Sequence, residues 1–130
     1  MNKTLTLNGA HIHDIPSFYA EVNAVFMANE SWRLGESLDA FNDLLYGGFG
    51  ALAGSEPVTL VWRDAKRSRA ALGFEVTRRY YQDKLAQPER FNVAYFQRQL
   101  AALENGSGQT YFDILLDIIA DHPNITLVMR

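Results

Sequence analysis

The stretch LGESLDAFNDLLYGGFG, residues 34–50, predicts an amphipathic helix with signals at both ends. At about 100° per residue, its apolar residues fall on one side of a helix and three acids fall nearly opposite. The apolar set is Leu38, Phe41 and Leu45, and the acidic set is Glu36, Asp39 and Asp43. Ser37, or Glu36 before it, can begin the helix. Gly47 and Gly48 can end it, because glycine readily adopts the left-handed conformation. We call the side that carries the three acids the acidic face.

The composition is typical of a globular protein. An apolar content of 48% excludes a disordered chain, and no apolar run approaches the about 18 residues of a membrane helix. For 130 residues we expect one domain, residues 1–130. The first residues alternate polar with apolar side chains, unlike a signal peptide, and the chain has no cysteine. We therefore expect a cytoplasmic protein without disulfides or thiolate metal sites.

The net charge of −3 conceals two regions of opposite sign. Residues 63–98 hold nine of the twelve basic residues and only four of the fifteen acids. The rest of the chain, including the acidic face, is strongly acidic. This division predicts two surfaces with different electrostatic preferences, unless folding brings them together.

Alternating and apolar runs predict three strands, and helical spacing predicts helices between them. The strands are expected at residues 4–7, 58–62 and 124–129, with a brief extended segment at 11–13. The helices are expected at residues 14–27, 37–46, 64–72, 76–85, 93–103 and 110–120. The nearly continuous apolar run at 58–62 is typical of a buried parallel strand. Strands separated by helices favour an α/β fold with a parallel sheet and right-handed crossovers.

Other patterns that could carry chemistry have simpler explanations. Residues 48–53 match the letters G-x-G-x-x-A, but they follow a helix where a dinucleotide-binding turn follows a strand. His11 and His13 have no further metal ligands at suitable spacing, so we expect surface histidines. His122 follows the last predicted helix, where a structural role is expected. The acids of one exposed helix do not converge in a pocket, so we predict no enzyme, metal or cofactor site.

Aromatic residues leave two questions open. Trp62 ends the apolar run and is predicted to lie in the core, whereas Trp32 can be either a core residue or an interface anchor. Between residues 74 and 109, aromatic and basic residues interleave as they do in proteins that bind single-stranded nucleic acid. The aromatic members are Tyr80, Tyr81, Phe91, Tyr95 and Phe96, and the basic members are Arg78, Arg79, Lys84, Arg90 and Arg98. Helical spacing offers packing as the alternative explanation.

Three blocks of the sequence resemble the barstar family of ribonuclease inhibitors. They are LNGAHIHDIPSFYAEV (7–22), LGESLDAFNDLLYGG (34–48), and PVTLVWRDAKRS (57–68) together with the closing helix and strand that end in NITLVMR (124–130). The resemblance implies a small three-stranded parallel sheet flanked by helices. Residues 74–109 look like an additional helical insertion, which we expect to pack on itself and on the last helix and to be dispensable for binding.

In that family, a helix and the loop before it plug the active site of a ribonuclease, with carboxylates where substrate phosphates bind. The resemblance therefore implies a non-enzymatic inhibitor of a basic ribonuclease or related nuclease toxin. The family's two inhibitory aspartates fall on Asp39 and Asp43, and a further glutamate falls on Asp117. Its helix-start asparagine falls on Ser37, and its glycine after the helix falls on Gly47.

The aromatic contacts of the family are not kept. Its contacting tyrosine, tryptophan and threonine fall on Arg33, Asn42 and Tyr46. The aromatic after the glycine falls on Gly48, with Phe49 adjacent. Compared with the family, this chain keeps the two aspartates but changes the aromatic contact residues. The resemblance therefore implies a nuclease partner other than barnase. Two alternatives remain from the sequence, namely a protein-interaction module without nuclease inhibition and nucleic-acid binding through the basic insertion.

Overall fold

The computed structural model describes residues 3–130, which form one three-stranded sheet and six α-helices. The strands are β1 (Lys3–Asn8), β2 (Val58–Arg63) and β3 (Ile125–Met129). The helices are α1 (Ile15–Phe26), α2 (Leu38–Leu45), α3 (Ala65–Ala71), α4 (Phe74–Leu85), α5 (Val93–Glu104) and α6 (Tyr111–Ala120). Over these residues, no helix is long and apolar enough to cross a membrane.

The sheet has the strand order β1-β2-β3, and all its strands run parallel. Val58 at the start of β2 is in register with Lys3 on one side and Ile125 on the other. Helices α1 and α2 connect β1 to β2, and α3 to α6 connect β2 to β3. The predicted α/β fold, with a small parallel sheet flanked by helices, is confirmed.

The two faces of the sheet differ in burial. Along β2, Val58, Leu60 and Trp62 are buried, whereas Thr59 and Val61 between them are partly exposed. Successive side chains of a strand point to opposite faces, so the helices cover only one face of this sheet. The prediction of a strand buried throughout was therefore wrong for alternate residues.

Trp62 lies in the core, as predicted, and rings from two helices pack against it. Phe18 of α1 stacks on it at 5.8 Å between ring centroids, and Phe112 of α6 meets it edge-on at 5.1 Å. Phe41 of α2 meets Phe18 edge-on at 5.4 Å, which ties the helix of the acidic face to the core. The indole N–H of Trp62 donates to Ser68 Oγ at 3.0 Å, so its one polar group is satisfied.

The predicted apolar side of α2 faces this core. Phe41 and Leu45 are fully buried, and Leu38 at the first turn is half-buried. Leu44 is also fully buried and was not assigned to this side by the sequence pattern. Helix α2 packs against α6. Core packing therefore fixes the side of α2 that remains outward.

The segment predicted as an insertion forms α4 and α5, which pack against each other, and α4 also packs against α6. Thr77 of α4 makes the link to α6, because its hydroxyl donates to Gly73 O at 2.7 Å and accepts from the N–H of Tyr111 at 2.7 Å. This confirms the predicted packing of the segment on itself and on the last helix.

The expected extended segment at residues 11–13 was wrong, because the chain forms a 3-10 turn at Gly9–His11. The Asn8 side chain accepts from the N–H of Ala10 at 3.0 Å, which begins the turn. His11 Nδ1 lies 2.9 Å from Glu21 Oε1. A side-chain cap and a contact with α1 therefore override the local extended preference.

Two buried phenols share a hydrogen bond between α1 and α6. The hydroxyls of Tyr19 and Tyr111 lie 2.6 Å apart, and both side chains are almost fully buried. Burial raises the pKa of each phenol above its ordinary value, because the phenolate cannot be solvated there.

The phenol pair predicts a loss of stability at alkaline pH. A phenol whose pKa is raised on folding stabilises the protein fully below about pH 10, and this contribution falls as the pH rises further. Each such phenol steepens the fall by about 1.4 kcal/mol per pH unit. Urea unfolding between pH 9 and 11.5 measures how the free energy of unfolding falls with pH. This fall should be shallower in Tyr111→Phe than in the wild type by up to about 1.4 kcal/mol per pH unit, which corresponds to one proton. Equal slopes would show that Tyr111 titrates normally.

Candidate functional site

Helix α2 presents the acidic face to solvent. Its first residue follows Ser37, whose Oγ accepts from the N–H of Ala40 at 3.0 Å and caps the helix. Glu36, Asp39 and Asp43 are all exposed. Within residues 3–130, neither Asp39 nor Asp43 has a basic side chain at ion-pair distance. The two carboxylates therefore stand one turn apart with free outward oxygens.

An exposed aromatic residue extends the acidic face at the end of α2. Tyr46 is 67% exposed and continues the helical backbone as its C-cap. At about 100° per residue it falls close to the direction of Asp39. Its ring meets the ring of His122 edge-on at 4.7 Å. Tyr46 thus offers an aromatic surface beside two carboxylates.

His122 connects the end of α6 to α2. Its side chain is buried, and its Nε2 donates to Asn42 Oδ1 at 2.8 Å. His122 follows the C-cap of α6, as predicted, and its buried side chain has the structural role expected for it. It holds Asn42 and supports Tyr46, two positions where contact residues of the resembling family fall. Residues 80 positions apart share no sequence signal, so this link could not be predicted.

Gly47 ends α2 in a conformation that other residues rarely adopt. Its φ is +84°, and a Cβ built there would lie 2.4 Å from the carbonyl oxygen of Gly54. The N–H of Gly54 donates to Gly47 O at 2.9 Å, so the two backbones are in direct contact. The predicted helix stop is confirmed, and it also fixes the loop after α2.

Gly47→Ala should destabilise the protein by about 1–3 kcal/mol, because it combines left-handed strain with a backbone clash. Gly48→Ala is the matched control, since no atom lies within 4 Å of a Cβ built there and its φ is not positive. Urea melts of both variants would measure the difference. Equal stabilities would contradict the close approach to Gly54.

Two loops meet beside α2. The N–H of Gly50 donates to Glu30 Oε2 at 2.9 Å, and the ring of Trp32 lies 4.9 Å from that of Phe49. Trp32 is 47% exposed, so it is a surface aromatic that packs on a neighbouring loop and not a core residue. Arg33, next to it, is exposed.

Asp117 lies exposed on α6 and accepts a hydrogen bond at 2.5 Å from Gln109 Nε2. Gln109 also lines a groove to which Asp39 contributes. Asp117, the third acid to which the family resemblance gives a role in binding, therefore lies at the edge of the same region as Asp39. It is held there by the segment between α5 and α6.

A groove of about 540 Å³ separates the start of α2 from α4 and α5. We call it the aromatic groove. Its lining includes one carboxylate, one lysine, one amide and three aromatic residues, namely Asp39, Lys84, Gln99, Tyr80, Phe91 and Tyr95. Burial, and then the neighbouring charges of Tyr95 and Asp39, raise the pKa of Tyr80. The segment predicted as an insertion thus borders the acidic face, which the sequence did not reveal.

No group of three His, Asp or Glu side chains in the described part of the chain is arranged to hold a metal ion. What the region offers is shape and charge. It combines outward carboxylates, an exposed tyrosine and an aromatic groove on neighbouring elements.

Comparison with known proteins identifies the family. The family model described as Barstar (barnase inhibitor) matches residues 2–101, which include β1 to α4 and most of α5. A search of curated proteins finds no match. The matched span includes residues 74–101 of the segment predicted as an insertion. The family is one of inhibitors and not of enzymes, and its barstar-like fold agrees with the parallel sheet described above. The chain belongs to the barstar family.

Proposed function

We propose that the protein inhibits a basic ribonuclease or a related nuclease toxin by inserting α2 and the loop before it into the active site. Asp39 and Asp43 take the positions of substrate phosphates and meet the basic residues that would bind RNA. The protein acts in the cytoplasm as a binding protein, without catalysis, metal or cofactor. This is the family's general activity applied to the outward side of α2.

The observation that carries the proposal is the unfavourable local placement of Asp43. It lies one turn after Asp39, and like charges at this spacing destabilise a helix by about 0.2–0.5 kcal/mol. It also lies in the second half of an eight-residue helix, where the helix dipole disfavours an anion. No basic side chain among residues 3–130 lies at ion-pair distance from Asp39 or Asp43. A basic partner would offset both unfavourable effects.

The other α2 residues to which the family resemblance gives a role in binding take supporting roles in this proposal. Ser37 and Gly47 fix the two ends of α2 and so the spacing of its carboxylates. Asn42, held by His122, and the exposed ring of Tyr46 contact the nuclease beside Asp43. Tyr46 supplies the aromatic contact that the family has at other positions.

Three further residues flank this surface. Arg33 and Phe49 lie on the two loops that meet beside α2, and Phe49 supports the exposed ring of Trp32. Asp117 adds negative charge at the edge of the aromatic groove. In the proposal they set the rim of the contact and not its centre.

The arrangement of α4 and α5 favours a protein partner over RNA. Their rings pack on one another, as in the contacts of Tyr81 and Phe91 with Phe96 at 6.1 and 6.0 Å. Asp39 lies in the same groove and repels phosphate. A carboxylate beside these rings disfavours a nucleic-acid strand, because the backbone phosphates of bases stacked there would lie close to it.

The test is inhibition of a purified nuclease. The protein is immobilised, basic proteins of its own cell extract are captured, and the captured nuclease is purified and assayed on RNA, with barnase as reference. One equivalent of the protein should stop RNA cleavage by that nuclease. A captured partner without nuclease activity would support the interaction-module alternative, and RNA binding with steep salt dependence would support the nucleic-acid alternative.

A further inference from the structure

The rings of the aromatic groove already hold one cation. The ammonium group of Lys84 lies 4.1 Å from the ring centroid of Phe91 and 5.2 Å from that of Tyr80. Both distances lie within the range of cation–π attraction, about 6 Å. The side chain of Lys84 forms no ion pair in the part of the chain described. The groove is thus a place where ring faces attract positive charge.

A carboxylate also lines the groove. Asp39 contributes it from the first turn of α2, and Tyr95 offers a ring that is 46% exposed. Gln99 adds an amide whose oxygen can accept a hydrogen bond. A flat ring, a free carboxylate and an amide oxygen in one groove suit a planar cation with several N–H groups.

Among protein side chains, the arginine guanidinium has this chemistry. It stacks on aromatic faces and donates two parallel hydrogen bonds to a carboxylate, whereas a lysine ammonium is a strongly hydrated point charge. We infer that the aromatic groove binds an arginine side chain of the partner nuclease, so that α4 and α5 determine which nucleases the protein accepts. This inference rests on the proposed function.

Lys84 has a defined part in this arrangement. Its ammonium occupies ring faces that the incoming guanidinium would use, and the two cations repel each other. Arginine binding therefore moves Lys84 outward, toward solvent. Removing its charge should strengthen arginine binding, whereas it would weaken the binding of any anion or nucleic acid.

The first experiment needs no nuclease. N-acetyl-L-arginine amide is titrated into the ¹⁵N-labelled protein, and amide shifts are followed by NMR, with N-acetyl-L-lysine amide for comparison. Saturable shifts should centre on Asp39, Tyr80 and Tyr95, and arginine should bind at least about threefold more tightly than lysine. Shifts that fail to saturate, or that centre elsewhere, would overturn the inference.

Matched variants sharpen this titration. Tyr95→Ala and Asp39→Asn should each weaken binding of the capped arginine at least about fivefold. Phe74→Ala is the control for Tyr95→Ala, because Phe74 is an aromatic residue of α4 with 44% exposure and lies outside the groove. Lys84→Gln should tighten binding, and weaker binding in that variant would contradict the role given to Lys84. The wild-type pattern of amide signals confirms that each variant is folded.

The second experiment uses the purified nuclease and separates the two proposals. Tyr95→Ala should weaken nuclease binding about fivefold, and Phe74→Ala should leave it unchanged. If Asp43→Asn weakens the complex while Tyr95→Ala and Phe74→Ala both leave it intact, the groove inference is wrong and the proposed inhibition stands. If Asp43→Asn has no effect, the proposed inhibition by the acidic face is wrong.

Discussion

Asp43→Asn is expected to weaken nuclease binding by at least about 2 kcal/mol, which is roughly thirtyfold in affinity. A carboxylate enclosed by partner arginines or lysines exchanges its water for charge-assisted hydrogen bonds, and its removal leaves the partner's cations buried without a counterion. Barnase–barstar is itself the standard example for this scale, so the magnitude comes from the family and not from the geometry of this protein. Asp43→Ala should be at least as harmful. Asp39→Asn should follow the same pattern less strongly.

Calorimetric titration of the nuclease at low and at physiological salt measures this effect. Asp83→Asn is the matched control, because Asp83 is an exposed aspartate on α4 outside the aromatic groove. Neither variant should change the free energy of unfolding by more than about 0.5 kcal/mol, since both sites are exposed. If Asp43→Asn bound like the wild type at both salt concentrations, the acidic face would be an ordinary solvated surface.

Leu45→Ala should lower the free energy of unfolding by about 2–5 kcal/mol. Leu45 is almost fully buried on the core side of α2, so truncation removes apolar contacts and leaves a cavity under the helix. Leu38→Ala should cost less, because Leu38 is only half-buried at the first turn. Urea melts with unchanged m-values would provide the comparison. A loss below about 0.5 kcal/mol for Leu45→Ala would contradict the core assignment of this side.

Much of the fold could be predicted because its signals are local. The apolar spacing of α2, its cap at Ser37 and its stop at Gly47 all lie within a few residues of the helix, and the structure agrees with them. The extended segment expected at residues 11–13 was wrong because the contact of His11 with Glu21 of α1 is not visible in the local alternation. The partial exposure of Thr59 and Val61 was missed because the apolar sequence of a strand does not indicate whether helices cover one face of its sheet or both.

The candidate site could be predicted only along α2 itself. The exposure of Asp39 and Asp43 follows from helical spacing, and their unpaired state agrees with it. Contacts between distant segments carry no such pattern. The bond from His122 to Asn42 and the approach of Tyr80 and its neighbours to Asp39 arise from tertiary packing. The expectation that residues 74–109 are dispensable for binding and the groove inference predict opposite outcomes, and nuclease binding by Tyr95→Ala distinguishes them.

The central position of β2 determines how late in synthesis the acidic face can form. Val58 pairs with Lys3 and Ile125, which lie 55 and 67 residues away along the chain. At a translation rate of about 5–20 residues per second, roughly 3–12 s pass between the synthesis of β2 and that of β3. During this interval one edge of β2 stays open, and α2 lacks its support from α6. A nascent chain thus cannot present the finished acidic face until α6 and β3 have been synthesised.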